Sequence, residues 1–500
     1  MTQKSSQEHF NTDELAANLK QRSIQSGLIT FASQPIKLVL GIGSTAILAR
    51  LLTPGDFGLL AMVMPLFLLV DSLSNLGLET AVVQKDKLDR QQASAIFWRS
   101  LKINSLLIAV TIILAPVVAW FYQEERLAGM VLGLAVGAFS VCLAFQHKAL
   151  LKRQMRFGTI TIIELISLVL SSLIAIAAAK IGWGYWALVL QLSVMQVTQS
   201  IAQWWVCDWR PSKYIKDDKL DAELSAIVSY GKHLTGFRFL TRIGMHLDRI
   251  LIGYVSGASA LGLYSVAYKW AYFPFEQVYF PMFDVAVSSL SRVQHDSSLY
   301  KSYSRRGLMP IFTFCMPALA FSFVEARSII LLLLGEQWLE AVPLFRLLAI
   351  AVYVVSMYRV TKWLYVSAGQ TQRQFRWALI HTPVMIAAVV IGAKWGAFGV
   401  AVGYMTGTCL LTYPAVNYCL RFSPLGWQDF IGAVWRPLIA SVLAAVCLYF
   451  SRSWIGSDRL LLDFVAKSIV YGVLYLASWL LLPGGIASTS EIIKSLKIIK

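Results

Sequence analysis

The sequence predicts an all-α polytopic membrane protein of about fourteen transmembrane helices, arranged as two pseudo-symmetric six-helix bundles followed by two C-terminal helices. Three observations predict it. The chain of 500 residues is 57% hydrophobic and 14% charged, which is more apolar surface than one water-soluble core can hide. Apolar runs of about twenty residues, the length an α-helix needs to cross roughly 30 Å of hydrocarbon, recur with polar breaks between them. Lysine and arginine concentrate in alternate breaks, as they do in loops retained on the cytoplasmic side.

Taken in order, residues 1–24 are polar and of mixed charge, without the basic stretch, apolar run and cleavage site of a secretory signal, and read as a cytoplasmic segment. Residues 25–207 hold six spans centred near Val39, Pro65, Leu107, Val136, Leu170 and Val194. A polar linker follows over 208–224, then six spans over 225–420 centred near Met245, Pro274, Cys315, Val354, Ala388 and Met405. Residues 421–500 carry two more, near Ala440 and Tyr471, and a basic tail. With the N-terminus inside, the cytoplasmic loops contain Lys85, Lys87 and Arg90, then Lys148, Lys152, Arg153 and Arg156, then Arg210, Lys213, Lys216 and Lys219. Arg292, Lys301, Arg305 and Arg306 follow, then Arg373 and Arg376. Opposite loops hold far fewer cations, so both termini are expected in the cytoplasm of a bacterial cell, at the inner membrane. No loop exceeds roughly 15 to 20 residues, which leaves no room for a separate catalytic domain.

The formal charge of +17 belongs to those loops, which argues against nucleic acid as a partner. Six cysteines lie in or beside apolar runs without a C-x-x-C pair, so they read as small buried hydrophobes and no metal or other cofactor is expected. Tryptophans such as Trp183, Trp186, Trp204, Trp205 and Trp209 fall toward span ends, where amphipathic rings anchor at headgroup level, with sugar stacking as the alternative. Prolines 35, 65, 116, 274, 281 and 317 are expected to bend their helices.

An internal repeat is visible. Phe57-Gly58-Leu59-Leu60-Ala61, opening the second span, matches Leu261-Gly262-Leu263-Tyr264-Ser265, opening the eighth. The turn Lys180-Ile181-Gly182 has its partner in Lys394-Trp395-Gly396. Two six-helix halves repeated in this way are a design that transporters use to rock about a central site.

The stretch from Leu48 to Leu59, LARLLTPGDFGL, resembles the first-hairpin signature of the polysaccharide transporter family, the lipid-linked oligosaccharide flippases. Asp71 followed by Gly77, Ala81 and Gln84, then Asp248-Arg249 leading to Gly253, Gly257, Gly262 and Tyr264, and finally Pro274 with Pro281 fit it as well. The resemblance implies the fold of the multidrug, oligosaccharidyl-lipid and polysaccharide exporter superfamily. It also implies the work of moving an undecaprenyl-pyrophosphate-linked oligosaccharide repeat unit across the inner membrane for surface polysaccharide synthesis. The implied partners are that substrate, membrane lipids, and a polysaccharide polymerase with its export machinery.

Ionisable groups at membrane depth cost about 2.5 to 3.5 kcal/mol each at a helix centre, so they seldom face lipid. Lys37, Arg238, Arg242, Lys269, Arg359 and Lys362 are the candidate substrate-binding cations of a central cavity. Arg238, Arg242 and Arg249 are spaced by four and seven residues and form one stripe, suited to the phosphate oxygens of an anionic headgroup. Snorkelling to the interface or internal pairing, for instance of Arg242 or Arg249 with Asp248, is the competing use. Asp71, Glu164, Asp248 and Arg249 are candidates for ion coupling or gating, against structural salt bridges. His246 and His381 read as proton relays or, more simply, packed and hydrogen-bonded residues.

The pattern therefore favours an alternating-access flippase, not an enzyme. A multidrug or cation exporter would be expected to carry an acidic cavity. A membrane polymerase or ligase would need a catalytic constellation, and no metal motif, nucleophile elbow or phosphate loop stands in the sequence. A structural scaffold leaves the intramembrane charges unexplained.

Overall fold

A computed structural model describes residues 13–74, 82, 88–213, 218–451 and 459–485, with side chains over 27, 29–70, 82, 88–213, 246–451 and 459–485. Helices account for nearly all of it. Ten helical segments are long and apolar enough to cross a membrane, and the shorter helix Pro54–Val70 is apolar too.

The first helices are α1 (Asp13–Leu51), α2 (Pro54–Ser74), α3 (Arg90–Tyr122), α4 (Arg126–Arg153), α5 (Phe157–Lys180) and α6 (Trp186–Val206). Next comes α7 (Asp218–Arg292), broken at Gly257, whose φ of 78° and ψ of −177° lie where glycine is nearly alone in residing. The remainder are α8 (Ser297–Val324), the short α9 (Ala326–Leu333), α10 (Ala341–Arg359), α11 (Thr361–Ser367), α12 (Thr371–Ala393), α13 (Gly396–Leu420), α14 (Trp427–Ser451) and α15 (Leu460–Leu481). Counting the legs of α7 separately, joining α10 to α11 and setting α9 aside leaves fourteen helices among the described residues, each containing one of the expected centres. The polar segment expected over 1–24 is already helical from Asp13.

Local chemistry explains where helices begin. At α2, Thr53 is the N-cap and Pro54 the first helical residue; Thr53 gives its backbone N–H (2.9 Å) and hydroxyl (2.7 Å) to the Asp56 carboxylate, while the Asp56 N–H reaches Thr53 Oγ1 at 3.3 Å. That reciprocal pair is a capping box, and proline at the first position costs no hydrogen bond. Asp89 and Gln92 close an equivalent box at α3.

The chain divides into two compact units, Met1–Gly262 and Leu263–Lys500. In the first, α3 packs on α4, α4 on α6 and α6 on α5, with α1 against α5. In the second, α8 packs on α10, α10 on α13 and α13 on α12. The packing order of the third, fourth, sixth and fifth spans thus recurs in the ninth, tenth, twelfth and eleventh, which is the internal repeat in three dimensions. Spans thirteen and fourteen append to this: α14 lies on α8 and α15 on α14.

Small residues set the close approaches. Gly133 and Gly137 on α4 face Trp186, Val189 and Ser193 on α6, and Ser193 donates to the Gly133 carbonyl at 2.9 Å. The repeat glycines Gly58 and Gly262 face each other's helices: a Cβ on Gly58 would strike the Ala258 carbonyl, and one on Gly262 the Pro54 carbonyl. Each obstructing carbonyl lies four residues before the opposing glycine, so the crossing is two-fold symmetric.

Two expectations are corrected. Trp209, assigned to the interfacial belt, is fully buried, edge-on to Phe97 and His147, because residues 207–213 fold back over the ends of α3 and α4 and Ser212 hydrogen-bonds Ser94. Cys409 and Cys447 are exposed on their spans, while Cys142, Cys207, Cys315 and Cys419 are buried.

Candidate functional site

The second leg of α7 presents a stripe of aromatic side chains. Tyr264, Tyr268, Tyr272, Tyr279 and Phe283 fall at helical intervals of four and seven, one above another on a single face. Neighbours along it touch: the Tyr268 and Tyr272 rings stack at 4.3 Å, and Tyr279 and Phe283 lie 5.8 Å apart. At 1.5 Å per residue, Tyr272 sits about 22 Å along the leg from the Gly257 bend, deep in the span.

Two other spans face this stripe. From α13, Tyr404 meets the Tyr272 hydroxyl at 2.5 Å and stands edge-on to Tyr268 at 6.1 Å. From the end of α10, the Arg359 guanidinium lies over the Tyr272 ring at 5.8 Å, and the Arg359 carbonyl accepts the Tyr279 hydroxyl at 3.1 Å. One turn on, Lys362 of α11 lies over Phe283 at 5.5 Å. Among the described residues no carboxylate pairs with either cation. Both charges are stabilised by ring faces instead, which leaves their N–H donors open to an anion.

Arg359 and Lys362 are among the cations the sequence singles out, and the tyrosines are not. Their spacing was legible by the same rule that drew attention to Arg238, Arg242 and Arg249. Tyrosine carries no formal charge, however, so nothing at membrane depth flagged it. Tyr264, Tyr272 and Tyr279 are buried, so the stripe is a packed aromatic wall that carries two cations on its ring faces.

The structure places the other candidates as follows. Lys37 of α1 and Glu164 of α5 form an ion pair at 2.5 Å, both partly exposed, beside a 3.4 Å contact between the Thr30 and Thr161 hydroxyls. The cation expected to meet substrate is thereby paired with the acid expected to couple an ion. A double-mutant cycle of Lys37→Met and Glu164→Gln, read by thermal unfolding in detergent, is expected to give a coupling of about 1–2 kcal/mol. A value near zero would mean that water already solvates both groups.

Asp248 is buried and accepts the Arg249 backbone N–H at 2.8 Å, while Arg249 Nη1 lies 3.2 Å from His246 Nδ1. Lys269 is exposed, with its ammonium 5.8 Å from the Trp270 ring centre, on a different face from Tyr268 and Tyr272. His381 stacks on Tyr358 at 5.1 Å, as a packing residue does. The side chains of Arg238, Arg242 and Asp71 lie outside the described residues. Among the described residues no group of histidine, cysteine and acid side chains is arranged to hold a metal ion.

The profile of a family described as polysaccharide biosynthesis protein matches residues 47–343. The chain is 24% identical to an uncharacterized membrane protein in the cps region of Klebsiella pneumoniae, across 91% of this chain and 94% of that one. It is 25% identical to the succinoglycan biosynthesis transport protein ExoT of Rhizobium meliloti (strain 1021), across 86% and 87%. Among solved structures, the lipid II flippase MurJ in an inward closed conformation superposes with a TM-score of 0.70 at 14% identity, covering 90% of this chain and 98% of that one. At that identity the likeness is one of fold.

Proposed function

The chain belongs to the polysaccharide biosynthesis protein family, and from that membership we propose that it is a flippase carrying a lipid-linked oligosaccharide repeat unit across the bacterial inner membrane for surface polysaccharide synthesis. The observation that carries the reading is the pair Arg359 and Lys362, two cations at a span end with ring faces beneath them and, among the described residues, no acid paired with either. Arg359 is half-buried and Lys362 exposed, and charges held at membrane depth without an acid partner favour contact with an anion. The pyrophosphate of a lipid-linked sugar is such an anion. In this reading its sugar units travel in water beside these cations while the lipid tail remains in the bilayer.

In this reading transport proceeds by alternating access and no bond is made or broken. Lys37, Arg238, Arg242 and Lys269 are the further candidate cations for the substrate in this reading, with Lys37 available when its pair with Glu164 opens. Protonation or ion binding at Glu164, Asp71 or Asp248, with Arg249 beside the last, would couple the cycle to a gradient. Both termini lie in the cytoplasm by the placement of the basic loops, on the side where a lipid-linked precursor is assembled and opposite the polymerase that would use it. An exporter of organic cations is disfavoured, because a cationic site with no acid paired to it among the described residues repels such cargo.

Reconstitution tests the proposal. In proteoliposomes, fluorescent lipid-linked oligosaccharide loaded on one leaflet is expected to become accessible on the other at a rate well above protein-free vesicles. Folded protein that leaves all label on its starting side would turn the assignment toward an enzyme or scaffold.

A further inference from the structure

A second basic site lies apart from the tyrosine stripe, where α8 and α14 begin. Ser298, Lys301, Ser302, Arg305, Arg306 and Met309 of α8 line a cavity of about 240 Å³, closed on the other side by Gly432 and Ala433 of α14. The α8 positions recur at intervals of three and four, so one helix face builds the wall. One of its three cations is already committed: Lys301 pairs with Asp429 at 3.0 Å, and the Asp429 carboxylate also accepts the Gly426 N–H at 3.0 Å. Arg305 and Arg306 are exposed, and among the described residues no hydrogen bond or ion pair engages either. With one acid facing three cations, the cavity keeps a net charge of two.

Its depth is informative. The apolar run of α8 starts at Gly307, directly after Arg306, and Trp427, the first residue of α14, donates its indole N–H to Asn417 at 3.1 Å, as a headgroup-level ring does. The cations therefore sit at the level of lipid phosphates, while Met309 and Ala433 continue the cavity one turn into the hydrocarbon. On α14 the cavity opens beside Gly432, where a Cβ would meet no atom within 4 Å, so a side chain there would occupy the ligand's space and no protein atom's.

We infer that this cavity binds the phosphodiester headgroup of an anionic phospholipid from the surrounding leaflet, with Arg305 and Arg306 on the phosphate and the glycerol beside Gly432. Guanidinium groups suit phosphate oxygens by their paired donors, and basic pockets between helices on the cytoplasmic side are where such headgroups collect. The apolar inner end selects a lipid over free phosphate, because a soluble anion gains nothing from Met309 and Ala433. A cavity of about 240 Å³ has room for a phosphate with its glycerol. The site is therefore a lipid anchor for α14 on α8, separate from the transport path.

Native mass spectrometry of the full-length protein, titrated with phosphatidylglycerol or phosphatidylcholine, tests this. The wild type is expected to prefer phosphatidylglycerol by about tenfold, which is about 1.4 kcal/mol. Arg305→Gln with Arg306→Gln is expected to bring the two lipids within about twofold. Gly432→Leu, which fills that space and leaves every charge in place, is expected to weaken phosphatidylglycerol severalfold, with size-exclusion profiles confirming folded protein throughout. Equal affinity for the two lipids in the wild type, or an undiminished preference in the arginine variant, would overturn the site. Displacement of the lipid by millimolar inorganic phosphate, with no effect of Gly432→Leu, would overturn the lipid assignment in favour of a soluble anion.

Discussion

Gly58→Ala and Gly262→Ala are each expected to destabilise the protein by about 3 kcal/mol, at the upper end of what overpacking costs, and Gly58→Leu is expected to prevent accumulation of folded protein. The cause is a collision with backbone. A methyl group on either residue would occupy the space of a carbonyl on the opposing helix, Ala258 in one direction and Pro54 in the other. A flexible side chain would rotate away, whereas a helix must move as a body. Gly41→Ala and Gly43→Ala provide the control, since a Cβ at either meets nothing within 4 Å. Thermal unfolding followed by size exclusion in detergent measures all four, and equal midpoints for the two pairs would refute the crossing.

Arg359→Gln combined with Lys362→Gln is expected to lower translocation of lipid-linked oligosaccharide by at least about a hundredfold, since a charge-assisted hydrogen bond is worth about 1.5–3 kcal/mol and two are lost. The unfolding midpoint is expected to hold, because neither cation has an acid partner to strand among the described residues. Tyr272→Phe separates the contributions: it removes the hydroxyl that meets Tyr404 but keeps the ring under Arg359, so a milder loss is expected. Unchanged translocation in the double variant would remove these cations from the path.

The signature from Leu48 to Leu59 illustrates what was legible and what was not. Its likeness to a family could be read directly, yet its physical content lies in local contacts: Thr53 and Asp56 close a capping box, Pro54 fills the first helical position and Gly58 makes room for a carbonyl some two hundred residues away. The first two follow from sequence-local rules of helix initiation. The third does not, since a glycine inside an apolar run looks the same whether it faces lipid or another backbone.

The same distinction runs through the candidate site. Insertion cost alone marks Lys37, Glu164, Arg359 and Lys362 as residues needing company, but not which company. Lys37 found an acid on α5, 127 residues away, while Arg359 found rings on α7.

By itself the sequence determined the membrane class, the span count and the twofold internal repeat, because hydrocarbon thickness and backbone hydrogen bonding restrict what a run of apolar residues can do. Only the tertiary structure decided which charges are neutralised, which tyrosines meet them and which glycines carry a crossing. Those outcomes depend on the rotation of each helix about its own axis, which packing against distant spans fixes and hydropathy cannot express.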